Sequence, residues 1–300
     1  MNTSILLVGH GSRHKAGNDE IDQFSAKWKA MNPQWRIETC FIEFADVMLD
    51  DGLDNAAKNA ERVIVVPLIL NAAGHVKMEI PHHIDQARQR HGNVEFVYAA
   101  HLGANDAIFT ILKRNLRKVM TALDMPDPKT TGVVILGRGS SDRIANGEVA
   151  KMARWLFDES DHNQVDIAFT GITYPRLEAV VQQQVRLGMT QMAILPYYLF
   201  TGTLIERIKR QVERLQQQYP QIAINCGSYF GFEPEIYNLL NQRVSEAIGE
   251  TTASNMMECD GCNYRQLAEE HGHGHSHDHN HGHGHAHDHN HDENKSGVAA

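Results

Sequence analysis

The 300-residue sequence has few cysteines, no excess of basic residues and no long apolar segment. Four cysteines in a chain of this length do not form a disulfide framework, and they favour a reducing cytoplasm. The formal net charge of −9 argues against a nucleic-acid-binding protein, which is usually basic. The longest apolar run, residues 63–70, is too short to span a bilayer, and residues 1–5 do not resemble a signal peptide. We therefore expect a cytoplasmic protein with neither a nucleic-acid nor a membrane partner.

What the sequence does contain is an internal repeat at a shift of 128 positions. The segment Ile-Leu-Leu-Val-Gly-His-Gly-Ser-Arg at 5–13 returns as Val-Val-Ile-Leu-Gly-Arg-Gly-Ser-Ser at 133–141. Further matches at the same shift are Asn18 with Asn146, Glu20 with Glu148, Phe41 with Phe169, Leu49 with Leu177, and Gly103 with Gly231. Such a repeat implies two similarly folded halves that arose by duplication. Because Arg138 replaces His10 and Thr203 replaces His75, we expect one active site, built on the first half.

Hydrophobic periodicity predicts alternating strands and helices in both halves. In the first half the predicted strands are 5–8, 37–44, 63–70 and 94–99, and the predicted helices are 18–31, 50–59, 81–90 and 105–123. In the second half the predicted strands are 133–136, 166–171, 192–199 and 222–229. This alternation predicts parallel sheets with right-handed crossovers. The expected fold is α/β, with two duplicated flavodoxin-like halves at residues 1–123 and 132–250 and a proline-containing linker at 124–131.

Two loops at the carboxyl ends of predicted strands carry residues suited to metal chemistry. Ligands gather at this edge of open α/β sheets, so His10 and His75 can face each other there. Glu79 follows His75 by four residues and would share a helical face with it. Two imidazoles and a carboxylate suit a borderline divalent metal. The structural alternatives are a tight turn whose histidine bonds only to the backbone at His10, and a solvated helix start at His75.

Residues 251–300 differ in composition from the rest of the chain. Histidine occupies every odd position between 271 and 291: His271, His273, His275, His277, His279, His281, His283, His285, His287, His289 and His291. Such a segment cannot build a packed core, so we expect it to be disordered without metal and to act as a metal store or delivery arm. An expression tag is the alternative.

A Cys-x-x-Cys pair, Cys259 and Cys262, precedes this histidine-rich segment. Two thiolates do not complete a four-coordinate metal site. The remaining ligands would have to come from a second chain, from the histidines, or from Cys40 or Cys226. A redox disulfide or an adventitious metal site is the alternative.

These features together resemble the long form of the sirohydrochlorin cobaltochelatase family, within the class II tetrapyrrole chelatases. The resemblance is carried by five features: the Gly-His-Gly-Ser-Arg motif, a second histidine directly after Pro67-x₆-Gly74, the duplication, the histidine-rich segment and Met257-Glu-Cys-Asp-Gly-Cys262. It implies insertion of Co²⁺ into sirohydrochlorin during anaerobic cobalamin synthesis. It also implies that Cys259 and Cys262 carry an iron–sulfur cluster.

The same resemblance assigns roles to individual residues. His10 and His75 would bind the metal, and His10 would also accept a proton. The implied substrate contacts are Asp46, Leu70, Asn71, Ala72, Ala73 and Gly74. The family often has Glu-Pro where this chain has Asp46-Val47, which is a departure from its pattern.

The chemistry of metal insertion agrees with these roles. The reaction removes two pyrrole protons and desolvates a divalent cation, and a neutral histidine can bind the cation or accept a proton. Glu79 could orient His75 or relay protons. Because sirohydrochlorin is ringed by carboxylates, we expect Arg13, Lys77 and Arg138 to contact it, with Arg138 on the opposite wall of the cleft.

Two other functions fit the same residues. The ligand set would also suit Fe²⁺ insertion to give sirohaem, and Ni²⁺ is a further candidate metal. A non-catalytic metal-storage protein or metallochaperone would depend instead on the residues after 250. The expected partners are a tetrapyrrole and a divalent metal. A homodimer is expected if two chains supply four thiolates to a cluster.

Overall fold

A computed structural model describes residues 2–250, which form two four-stranded parallel sheets. The strands of the first half are β1 (Thr3–Gly9), β2 (Arg36–Phe41), β3 (Arg62–Pro67) and β4 (Glu95–Tyr98). Those of the second half are β5 (Thr131–Gly137), β6 (Val165–Phe169), β7 (Gln191–Pro196) and β8 (Ala223–Cys226). The strand orders are β2-β1-β3-β4 and β6-β5-β7-β8. The predicted α/β class with duplicated parallel sheets is thereby confirmed.

Helices connect the strands and cover both faces of each sheet. They are α1 (Lys15–Met31), α2 (Leu49–Ala57), α3 (Ile80–Arg90), α4 (Asp106–Thr121), α5 (Arg143–Asp158), α6 (Leu177–Arg186), α7 (Thr203–Gln218) and α8 (Pro234–Ala247). A π-helical turn, His75–Glu79, leads directly into α3. None of the helices within residues 2–250 is long and apolar enough to cross a membrane.

Six of the eight strands end earlier than their hydrophobic patterns predict: β4 by one residue, β6 by two, and β2, β3, β7 and β8 by three. β2 ends at Phe41 rather than at residue 44, and β3 ends at Pro67 rather than at residue 70. The apolar side chains beyond these ends, such as Ile42 and Leu68, are only 3% exposed, and their amides still donate to the carbonyls of Gly9 and Val8 in β1. Tertiary packing buries them, so hydrophobicity alone extends the predicted strands too far. The shorter strands leave residues 42–47 and 68–74 as loops at the carboxyl edge of the sheet.

The last helix of each half packs against the sheet of the other half. α4 lies against β7, and α8 lies against β3. The two halves therefore share one continuous hydrophobic core. Within it the rings of Phe24 and Tyr237 stack with centroids 4.2 Å apart, and Trp28 Nε1 donates to Asn241 Oδ1 at 2.8 Å.

Matching positions of α4 and α8 bond to the loops of the opposite half. Asn115 Nδ2 donates to the carbonyl of Ser228 at 3.3 Å, and Arg243 Nε donates to the carbonyl of His101 at 3.0 Å. Asn115 and Arg243 correspond to each other in the repeat. Arg243 also forms a buried ion pair with Glu246 at 2.7 Å. The exchange of helices is thus reciprocal and fixes how the two carboxyl edges face each other.

The predictions for Cys259, Cys262 and the histidines at residues 271–291 lie outside the described residues.

Candidate functional site

The loop that follows β1 contacts the loop that follows β2. The amides of Ile42 and Glu43 donate to the carbonyls of Gly9 and His10, at 3.0 and 3.2 Å. Gly11 has a positive φ of 87°, and a Cβ there would lie 1.7 Å from the carbonyl oxygen of Glu43. Only glycine allows both this backbone conformation and this close approach. The Gly-His-Gly motif therefore sets His10 directly beside Glu43.

His10, Glu43 and His75 form a cluster at the carboxyl edge of the first sheet. One ligand atom from each residue lies within 4.8 Å of those from the other two. The two imidazole rings meet edge to face, with centroids 4.9 Å apart. Among residues 2–250 this is the only group of three or more histidine, cysteine or acidic side chains with such spacing. Two imidazole nitrogens and a carboxylate oxygen suit divalent cobalt, iron or nickel.

His75 projects from the first residue of the π-helical turn, and Glu79 is the last residue of that turn. The Nδ1 atom of His75 forms a hydrogen bond with Glu79 Oε2. This bond outweighs partial burial and raises the pKa of His75. Since Nδ1 is engaged with the carboxylate, Nε2 remains as the metal-binding or proton-accepting nitrogen.

His10 lies in the opposite electrostatic setting. Burial, followed by the nearby His75 and Arg138, lowers the pKa of His10 to about 4, so its ring is neutral at pH 7. The guanidinium of Arg138 lies 3.2 Å from His10 Nε2. Because a guanidinium only donates hydrogen bonds, Nε2 must accept and Nδ1 must carry the ring proton. Nδ1 lies 3.2 Å from the carbonyl of Gly11 and 3.4 Å from Glu43 Oε1.

The cluster opens into a cavity of about 1330 Å³ that both halves line. Pockets for drug-sized ligands have volumes of roughly 300–1,000 Å³, so this cavity accommodates a larger molecule. The predicted site residues that line it are His10, Arg13, Leu70, Asn71, Ala73, Gly74, His75, Glu79 and Arg138. The structure therefore brings together residues from both copies of the repeat.

Three predicted substrate contacts, Asp46, Ala72 and Lys77, are described in the structure but do not line this cavity. Asp46 is exposed in the loop between β2 and α2, whereas Ala72 is only 5% exposed. Lys77 forms an ion pair with Asp142, and the two side chains are 10% and 4% exposed. This ion pair links the two halves of the chain beside the cavity.

Glu43 is the member of the cluster that the sequence analysis did not identify. The internal repeat contains a signal for it, because its counterpart is Gly171. All three members of the cluster are replaced in the second half, where Arg138, Gly171 and Thr203 stand for His10, Glu43 and His75. A comparison of the two copies for acidic residues that are lost just after a strand would have pointed to Glu43.

The second half keeps the loop geometry although it has lost these side chains. Gly139 has a positive φ of 85°, and a Cβ there would lie 2.4 Å from the carbonyl oxygen of Gly171. The amide of Gly171 donates to the carbonyl of Arg138 at 3.0 Å, as that of Glu43 does to His10. The backbone therefore presents Arg138 at the position that corresponds to His10.

A family model described as CbiX matches both halves of the chain, at residues 4–119 and 132–247. The chain is 38% identical over 272 residues to the sirohydrochlorin cobaltochelatase of Priestia megaterium, which covers 89% of this chain and 86% of that protein. It is 28% identical over 269 residues to the sirohydrochlorin ferrochelatase of Bacillus subtilis strain 168, covering 89% of this chain and all of that protein.

Solved structures agree with these sequence matches. A structure of SirB from Bacillus subtilis with Fe³⁺ superposes with a TM-score of 0.72 at 29% identity, over 83% of this chain and 97% of that one. A crystal structure of the sirohydrochlorin chelatase SirB from Bacillus subtilis subspecies spizizenii in complex with cobalt has a TM-score of 0.69 at 27% identity, over 82% and 95%.

Proposed function

This chain belongs to the CbiX family, and from that premise we propose that it is a sirohydrochlorin chelatase that inserts Co²⁺. The observation that carries the proposal is the His10–Glu43–His75 cluster at the edge of a cavity larger than an ordinary small-molecule pocket. The 38% identity to a cobaltochelatase over most of both chains supports the substrate and favours cobalt as the metal.

In this proposal the cluster binds the incoming metal ion. Glu43 contributes a negative charge, while His10 contributes a neutral ring, because burial has already lowered its pKa to about 4. His75 binds the metal through the nitrogen that Glu79 leaves free. Glu79 orients the His75 ring and increases its basicity. Partial burial of all three residues strips water from the ion before it reaches the macrocycle.

Insertion replaces two pyrrole N–H protons with one divalent cation, so two proton acceptors are needed. His10 is neutral at pH 7 and takes the first proton on a ring nitrogen. The His75–Glu79 pair takes the second, because the hydrogen bond to the carboxylate raises the pKa of His75. Once the metal has moved into the macrocycle, both imidazoles are free to hold these protons until solvent removes them.

Cationic and backbone groups around the cavity position the carboxylates of the substrate. Arg13 comes from the first half, with its guanidinium carbon 4.6 Å from the ring centre of Phe44, and Arg138 comes from the second. The loop at residues 70–74 covers the side of the cavity next to His75. Lys77 is not among the groups of this proposal, because it does not line the cavity and pairs with Asp142.

The test is substitution of His10 in the full-length protein. His10→Ala should lower the rate of Co²⁺ insertion by about 10²–10⁴-fold, the usual contribution of a positioned proton acceptor. The rate is followed from the absorbance change of sirohydrochlorin under anaerobic conditions. His91→Ala is the matched control, since His91 pairs with Asp54 away from the cavity. Insertion at the wild-type rate by the His10 variant would make the assignment wrong.

Iron is the second candidate metal, because a ferrochelatase that aligns with 89% of this chain and an Fe³⁺-containing structure are among the relatives. The same donor atoms suit Co²⁺ and Fe²⁺, which are neighbours in the order of affinities. Insertion rates with Co²⁺, Fe²⁺ and Ni²⁺ at equal free concentrations decide between them. A higher kcat/KM for Fe²⁺ would assign the protein to sirohaem rather than to cobalamin synthesis.

Three expectations stay predictions within this proposal. They are a cytoplasmic location, a homodimer, and an iron–sulfur cluster on Cys259 and Cys262. Absorbance of the anaerobically purified protein, with Cys259→Ser as its control, tests the cluster.

A further inference from the structure

We propose that Arg138 covers His10 Nε2, the ring nitrogen with an available lone pair, until a substrate carboxylate draws it away, so that the tetrapyrrole binds before the metal. This inference rests on the proposed function, which it extends to the order of binding. Arg138 would then couple the second half of the chain, which has lost the metal-binding side chains, to the chemistry of the first half.

The contact itself is the first step of the argument. Arg138 follows β5 as His10 follows β1, and the two loops meet across the cavity. A guanidinium nitrogen of Arg138 lies 3.2 Å from His10 Nε2. The backbone of the second half fixes where this side chain begins, because Gly139 and the amide of Gly171 hold its loop in one conformation.

The nitrogen that Arg138 covers is the one that the reaction needs. His10 Nδ1 carries the ring proton and lies against the carbonyl of Gly11 and the carboxylate of Glu43. Nε2 is therefore the nitrogen with an available lone pair, and it can serve only one partner at a time. While it accepts from Arg138, it can neither bind a metal ion nor take a pyrrole proton.

The charge of Arg138 acts in the same direction. A guanidinium stays protonated at every physiological pH, so it never becomes a metal ligand itself. Its positive charge next to His10 and His75 opposes the arrival of a divalent cation. The free protein is thus built to bind metal poorly at this cluster, in spite of its three suitable donors.

A carboxylate competes for Arg138 more strongly than a neutral imidazole does. Guanidinium and carboxylate form two parallel, charge-assisted hydrogen bonds, whereas the imidazole offers one lone pair. Arg138 is exposed and lines the cavity, so its side chain can turn towards a bound polycarboxylate. Binding of the tetrapyrrole would uncover His10 Nε2 and neutralise the charge that repels the metal.

The first experiment measures Co²⁺ binding without any tetrapyrrole. Equilibrium dialysis against buffered Co²⁺ compares full-length wild-type protein with Arg138→Gln, and each with the same protein carrying His10→Ala in addition. The difference within each pair counts only the Co²⁺ whose binding depends on His10, so binding by the histidines after residue 270 cancels. Arg143→Gln is the matched control, because Arg143 is exposed, lies outside the cavity lining and carries the same charge.

Arg138→Gln should bind this His10-dependent Co²⁺ about tenfold more tightly than the wild type, since one adjacent positive charge has gone. Arg143→Gln should match the wild type. Equal or weaker binding by Arg138→Gln would overturn the inference. This measurement does not require catalysis, so its failure is distinguishable from failure of the proposed function.

The second experiment tests the order of binding during insertion. Each protein is premixed with Co²⁺ and then diluted into saturating sirohydrochlorin with excess EDTA, so that only Co²⁺ already held at the site can be inserted. Wild type and Arg143→Gln should yield almost no product, whereas Arg138→Gln should yield up to one equivalent. Equal product from the wild type would contradict tetrapyrrole-first binding. Absence of insertion by every protein, even without EDTA, would refute the proposed function instead.

Discussion

His10 and His75 carry the same ring in opposite electrostatic settings. Burial lowers the pKa of His10 to about 4, whereas the hydrogen bond that the Glu79 carboxylate accepts raises the pKa of His75. At neutral pH His10 is therefore neutral, and His75 holds its proton more strongly than a free histidine does. A metal ion must displace that proton, so metal binding should weaken as the pH falls through the pKa of His75.

Replacing Glu79 tests whether its carboxylate raises the pKa of His75. Glu79→Gln removes the carboxylate that raises the pKa of His75, so the neutral ring should persist to lower pH. The acidic limb of kcat/KM for Co²⁺ should then move to lower pH, as measured between about pH 5 and 8 where histidines titrate. Glu95→Gln, which alters an exposed carboxylate in β4, should leave the limb in place. A shift to higher pH would contradict the role given to Glu79.

Glu43 should influence metal binding more than tetrapyrrole binding. Glu43→Gln keeps the size of the side chain but removes its charge, so the KM for Co²⁺ should rise by about tenfold or more, roughly 1.4 kcal/mol of binding free energy. The KM for sirohydrochlorin should change little. Initial rates with each substrate varied in turn make the comparison, with Glu38→Gln in β2 as the control. The opposite pattern, with only the tetrapyrrole KM raised, would make Glu43 a substrate contact.

At the scale of elements, the ends of the strands matter more than the strands themselves. β1 and β5 occupy the middle of their sheets, and their apolar side chains are fully buried. Each delivers one functional side chain, His10 or Arg138, in the first residue after it ends. The turn after β3 is π-helical, a form common at functional sites, and it brings His75 and Glu79 into contact.

Gly11 should be indispensable for this arrangement. An alanine at residue 11 would combine a positive φ with a clash against the carbonyl of Glu43, so Gly11→Ala should cost about 1–3 kcal/mol of unfolding free energy and weaken Co²⁺ binding. Gly147→Ala is the control. A Cβ at Gly147 meets no atom within 4 Å inside helix α5, so this change should stabilise by about 0.5–1 kcal/mol. Urea denaturation measures both, and a neutral Gly11→Ala would contradict the close approach.

At the scale of the whole molecule, exchange of α4 and α8 makes the two halves interdependent. Each half completes its core with a helix from the other, and Phe24 of the first half stacks on Tyr237 of α8. The relative position of His10 and Arg138, which stand on different sheets, depends on this shared core. We expect residues 2–250 to unfold as one cooperative unit.

Arg243 provides the test of this interdependence. Arg243→Ala would leave Glu246 buried without its partner and remove the bond to the carbonyl of His101, at a cost of about 3–5 kcal/mol. Scanning calorimetry should still show one transition, at a lower temperature. Arg154→Ala, which breaks an exposed pair with Asp158, should change stability by less than about 1 kcal/mol. Two separate transitions would contradict a shared core.

The sequence alone determined the features that depend on local pattern. Alternating apolar runs fixed the parallel sheets, and the repeat located His10 and His75 at strand ends and marked Arg138 and Thr203 as their replacements. These residues could be predicted because the position of a loop after a strand follows from the local pattern of apolar residues and glycines. Hydrophobicity extended six of the eight strands too far, since apolar residues beyond the strand ends, such as Ile42, are also buried by packing.

Only the tertiary structure decided which distant residues meet. Glu43 joins the cluster because the backbone after β2 passes within contact distance of Gly11. Lys77 forms an ion pair with Asp142 of the other half. The contact between Arg138 and His10 exists because α4 and α8 exchange partners and so bring the two sheet edges face to face. Such approaches depend on how packed layers are oriented, and no local periodicity encodes that orientation.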